Sequence, residues 1–131
     1  MKLLVFVNKA TKQIVAIITD TGRTHDFKIY KKEIGVKVRE TIKINGDSGF
    51  QGIDKYHRNS ETPKKKSKKN PLTKEEKANN TRLARERILV ENINAVLKVF
   101  KLLAQKYRNR RKRYGLRANI ICGIYNLEAC K

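Results

Sequence analysis

The chain has no tryptophan, only two prolines, two cysteines and twelve acidic residues in 131 positions. Each scarcity excludes something. Two cysteines, Cys122 and Cys130, stand eight apart near the end, a spacing that suits one face of a helix better than a disulfide framework, so reduced thiols in a cytosolic setting are expected. The opening MKLLVFVNK has an apolar run of Leu3 to Val7 only, shorter than a signal-peptide core and followed by no small-residue cleavage site. No stretch approaches the ~20 apolar residues that span a bilayer, so no membrane partner is expected. Both prolines, Pro63 and Pro71, fall in one lysine-crowded stretch.

Against the shortage of acid stands an excess of base: 32 Lys+Arg against 12 Asp+Glu, a formal net charge of +20. A compact body carrying that charge repels itself unless a polyanion shares it, and nucleic acid is the partner of choice. The length suits one domain or a piece of one, large enough to cover about two thirds of its unfolded surface.

Two continuous β-branched runs, Leu3–Val7 and Ile14–Ile18, read as strands covered on both faces and joined by a hairpin loop over Asn8–Lys12. Thr24 is placed to cap a short helix through Lys32, with Phe27, Tyr30 and Ile34 toward the core. Thr41–Ile44 alternates like a half-buried strand and ends at Gly46-Asp47-Ser48-Gly49. Residues 58–77 read as a basic loop or insertion, with a poorly marked strand sought at Thr62–Lys65. The strongest helical pattern runs from about Thr73 to Gln105, where Leu89, Ile93, Val96, Leu97, Phe100 and Leu103 recur at three and four residues. Thr73 and Glu76 form a capping-box pattern at its start, and Asn79-Asn80 suggests a kink or a break. A basic run, Tyr107 to Gly115, precedes a last helix over about Leu116–Ala129.

Two carboxylates stand out by context. Asp47 ends a strand among small residues, at the rim of a sheet. Glu91 lies inside the long helix, one turn from Arg87, Asn94, Ala95 and Lys98, beside the apolar stripe and so at the edge of a cleft. A strand-end and a helix carboxylate are a pattern that can hold a divalent metal for phosphodiester chemistry. Taken alone, Asp47 reads equally well as a turn cap and Glu91 as the ion-pair partner of Arg87.

The stretch GDSGFQG at 46–52 resembles the second-aspartate motif of DDE-type insertion-sequence transposases. RILVENINAVLK at 87–98 is similar to the glutamate helix of their Tyr-x2-Arg-x3-Glu-x6-Lys subgroup, matching at Arg87, Glu91 and Lys98, with Ala84 in the tyrosine slot. TGRTHDFKIYKKE at 21–33 and YRNRRKRYGLRANIICGIYNLE at 107–128 resemble two further segments of the family.

The resemblance implies an α/β chain with an incomplete RNase H-like fold, a mixed β-sheet with flanking helices whose first strand is missing, filling 1–131 as a partial catalytic domain. It implies Asp47 and Glu91 as catalytic metal ligands for Mg2+ or Mn2+, expected only with a completed triad. DNA contacts are implied at Arg87 and Lys98 and, from their charge, at Lys64, Lys65, Lys66, Arg108, Arg110, Arg111 and Arg113. The family's first aspartate lies on a strand upstream of the hairpin. Asp20 is two strands away from that place, roughly 10 Å at ~4.8 Å per strand, too far to stand in. Asp26 and His25 read as capping residues, and Asp54 sits in a loop. Element-end and target DNA, a separately encoded N-terminal segment and further copies of the chain are the partners implied, in a bacterial-type cytoplasm at the nucleoid. The competing reading is a non-catalytic nucleic-acid-binding protein derived from a transposase.

Overall fold

The computed structural model describes residues 1–33, 38–108 and 110–130. The chain divides into two compact units, one gathering Met1–Thr24 with Ile88–Lys131 and the other His25–Arg87. Ile34, expected in the core, lies outside the described residues.

In the first unit β1 (Lys2–Val7) pairs antiparallel with β2 (Ile14–Asp20), from Lys2 opposite Asp20 to Phe6 opposite Ala16. Asn8 builds the connection: its side-chain oxygen accepts from Ala10 N at 2.9 Å and its carbonyl from Lys12 N at 2.8 Å. Lys12 is driven to φ 60 to close the turn. The expected hairpin is therefore present. Ile14 and Ile18 are buried while Val15, passed over by the irregular register at Phe6/Val7, is 64% exposed, and helices pack against Ile14.

Those helices are the end of α2 (Lys74–Leu97), the short α3 (Lys101–Ala104) and α4 (Lys112–Ala129). Ile93 and Leu97 of α2 and Ile121 and Cys122 of α4 meet Ile14, with Leu3, Val5 and Val7 packed around them. Asn126 fixes α4 to the hairpin: its amide donates to the Ile14 carbonyl at 2.9 Å and accepts from Ile14 N at 2.9 Å, taking the place of a neighbouring strand. Cys122 and Cys130 are free thiols, and burial pushes the Cys122 thiol up.

In the second unit α1 (Asp26–Glu33) turns Ile29 and Tyr30 fully inward. Phe27 meets Phe50 and Tyr56 edge to face, with ring centroids 5.8 and 5.9 Å apart. β3 (Ile44–Asn45) and β4 (Ser60–Glu61) form a short parallel pair. Among the described residues the strands thus make two separate two-stranded sheets and not one mixed sheet. The strand expected over 41–44 is limited to its end because Ile42 is exposed and Thr41 lies in a turn. The strand sought at 62–65 lies just upstream, at 60–61.

The capping box forms as expected, Thr73 N donating to Glu76 at 3.0 Å and Glu76 N to Thr73 Oγ1 at 3.2 Å. The expected break at Asn79-Asn80 is absent; α2 runs through both. It ends instead at Leu97, where Val99 and Phe100 bond back three residues and tighten the last turn.

Candidate functional site

Asp47 directly follows β3 and Gly46, half-buried. Its carboxylate caps the next 3-10 turn, accepting from Gly49 N at 2.8 Å. Gly46 is obligatory there: a Cβ would come within 2.9 Å of Phe50. The Gly46 N–H donates to the Glu61 carbonyl at 3.0 Å, tying the Asp47 turn to β4.

A polar network braces this strand pair against the start of α2. The Glu61 carboxylate pairs with Lys43 at 2.7 Å and Arg82 at 2.7 Å and accepts from Asn79 at 3.0 Å. Arg82 also reaches Glu86 at 3.0 Å, and Glu86 accepts from Asn45, two residues before Asp47, at 2.7 Å. The Lys43 ammonium, then the Arg82 guanidinium, hold the Glu61 carboxyl down at about 2. The folded value lies below the ordinary one, so its stabilisation is present above about pH 4.5 and fades as pH falls toward 2. Because Lys43 and Arg82 are about half exposed, screening limits the effect to about 1 kcal/mol. Urea unfolding of the native chain should therefore show a midpoint that falls between about pH 5 and pH 2.5, and Glu61→Gln should flatten that decline. An unchanged slope in the variant would remove Glu61 from this role.

His57 is the buried polar residue that sequence reasoning missed. It is 2% exposed, and its Nε2 donates to the Ile42 carbonyl at 2.7 Å. Its spacing of four from buried Ile53, with the His57 N–H bonded to the Ile53 carbonyl, was the available signal.

Glu91 belongs to the other unit. It is exposed on α2. The stripe is narrower than its pattern, for Val96 is 50% exposed beside buried Ile93 and Leu97. Lys98 stands just past the helix end. With Asn94 it lines an open depression of ≈ 240 Å³ that also touches Met1, Leu3, Leu97, Leu103 and Tyr114. Arg87 is exposed on α2; Lys64, Lys65 and Lys66 are exposed before it.

Arg108, Arg110, Arg111 and Arg113 are exposed, Arg111 at the N-cap of α4 and Arg113 in its first turn. Tyr107 braces this segment, its ring 5.0 Å from that of buried Tyr114 and its hydroxyl donating to the Arg110 carbonyl at 3.2 Å. Asp54 is exposed in a second 3-10 turn, Ile53–Lys55. His25 acts as capping was expected to, its ring accepting from Phe27 N at 3.3 Å.

Among the described residues no group of three or more His, Cys, Asp or Glu side chains is placed to hold a metal ion. None of the described helices is long and apolar enough to cross a membrane.

Residues 1–126 match the model of the DDE superfamily endonucleases. The chain belongs to that family, whose fold is RNase H-like. It is 47% identical over 128 residues to a probable transposase for insertion sequence element IS702 from Microchaete diplosiphon. The match covers 98% of this chain and 46% of that relative. No solved structure matches the chain significantly.

Proposed function

We propose that the chain acts in DNA transposition, as the part of an insertion-sequence transposase that supplies Asp47 as the second catalytic aspartate and Glu91 as the catalytic glutamate. The observation that carries this reading is the 47% identity maintained across 98% of the chain. In this reading Arg87 and Lys98 contact DNA phosphates, and the basic segments at 64–66 and 108–113 hold the flanking duplex.

The family uses divalent metal ions, which supply charge at the scissile phosphate. Because the described residues gather no three-ligand group, no step through an ion is assigned to this chain. Cleavage and joining are assigned to the transposase as a whole, this chain matching 46% of the length of its relative. The same observation favours a second reading, a transposase-derived protein that keeps the DNA surface without the chemistry. Both readings need DNA binding.

Three cationic residues, Arg111, Lys112 and Arg113, crowd the N-terminal end of α4. That end already carries partial positive charge from the helix dipole, so these cations raise one another's cost unless an anion is bound. A phosphate backbone supplies it. The chain should therefore bind duplex DNA without sequence preference, with affinity falling on a log–log slope of about −0.9 per phosphate neutralised between about 50 and 300 mM salt. Gel retardation across that range checks it; a flat salt dependence would overturn both readings.

A further inference from the structure

The lysine-rich loop between β4 and α2 is held at both ends. At one end the Asn80 side chain pairs with the Lys64 backbone in both senses: Lys64 N–H donates to Asn80 Oδ1 at 2.9 Å, and Asn80 Nδ2 donates to the Lys64 carbonyl at 2.9 Å. The Lys64 ammonium pairs with Glu76, and Gln51 donates to the Pro63 carbonyl at 2.5 Å. At the other end the capping box fixes Thr73 to the same Glu76. The tip turns on Ser67, whose hydroxyl accepts from Asn70 N at 2.9 Å. Between the clamps Lys65, Lys66, Lys68 and Lys69 are all exposed.

A free lysine run is ordinarily a solvated tether that loses conformational entropy when it binds. This one is closed at both ends by a single helix, so much of that loss is met on folding. Residues 64–73 contain no arginine and no aromatic ring. They therefore lack the bidentate fork that reads guanine edges and the stacking platforms that hold unpaired bases. What remains is point charges suited to phosphate oxygens.

We propose that Lys64–Thr73 is a preformed phosphate-binding loop for duplex DNA, shaped by Asn80 as its positioning residue. This deepens the DNA-binding reading above and rests on it.

The test uses the full 131-residue chain on a duplex and on a single strand of equal length. Asn80→Ala leaves net charge unchanged. It should weaken duplex binding roughly three- to tenfold, with the salt slope preserved to within about one phosphate. Lys65→Gln and Lys68→Gln should each flatten that slope by about 0.9 instead. Amide exchange at Lys64 should quicken in Asn80→Ala while exchange in the β1–β2 hairpin stays as it was. Should circular dichroism show that Asn80→Ala loses helix, Gln51→Ala loosens the same end of the loop from outside α2 and carries the same expectation.

Native chain that binds no DNA overturns the DNA-binding reading, and this proposal with it. Native chain that binds, with Asn80→Ala binding equally well, overturns this proposal alone. Tighter binding to the single strand overturns the assignment to duplex.

Discussion

Under the proposed function, Asp47→Asn and Glu91→Gln are each expected to reduce transposition supported by this chain by at least about a hundredfold, on the scale of removing one preorganised charge-stabilising group from an active site. Both changes keep the shape of the side chain and remove its charge. Asp47 caps its turn through one oxygen, on Gly49 N at 2.8 Å, and asparagine caps as well as aspartate. Glu91 is exposed, so glutamine there costs the fold little. A large loss of activity with an unchanged melting curve would therefore be a loss of chemistry. Asp54→Asn is the control, an exposed carboxylate in the Ile53–Lys55 turn to which no role is assigned. Equal losses from Asp54→Asn and Asp47→Asn, or full transposition in Glu91→Gln, would sink the assignment of the two carboxylates.

The elements that sequence made legible are those set by local chemistry. The β-branched runs at 3–7 and 14–18 form the hairpin, and Thr73 with Glu76 forms the capping box, because neighbouring residues suffice for both. What was not legible depended on distant partners. Asn79-Asn80 looks like a helix breaker by propensity. In the fold their amides bond Glu61 and Lys64, from sixteen to eighteen residues away, and the helix continues through them. The actual end at Leu97 has no glycine or proline to announce it. It comes instead where the helix tightens to three-residue bonds before Phe100, a residue in extended conformation (ψ 113).

The candidate site divides in the same way. Asp47 at a strand end was legible, because Gly46 and Ser48-Gly49 are turn residues on either side of it. The exposure of Glu91 was not, since periodicity gives the direction of an apolar stripe but not its width. The Lys43–Glu61–Arg82–Glu86–Asn45 network was invisible too. Its members are ordinary surface residues in sequence, brought together only when β4 and α2 meet beside the Asp47 turn. The same strand pair that the network braces carries Asp47, the aspartate of the proposed site, through the Gly46 N–H bond to the Glu61 carbonyl.

Leu97→Ala is expected to lower unfolding free energy by about 2–5 kcal/mol, the range for a large-to-small change at a buried site. Leu97 is 2% exposed and packs with Ile14, Ile93, Ile121 and Cys122, a core that joins the hairpin, α2 and α4. Val99, two residues on, is 79% exposed, and Val99→Ala should stay within about 0.5 kcal/mol. Leu97 also lines the depression beside Lys98. Fraying of this helix end would let Lys98 wander, so Leu97→Ala should weaken DNA binding at temperatures well below its own melting. Domains of this size hold only about 5–15 kcal/mol in total, so one truncation removes a large share. Urea titration of the two variants side by side decides it. If Leu97→Ala costs no more than Val99→Ala, then the end of α2 does not pack on the hairpin, and Lys98 has no fixed helix end to hold it beside the depression.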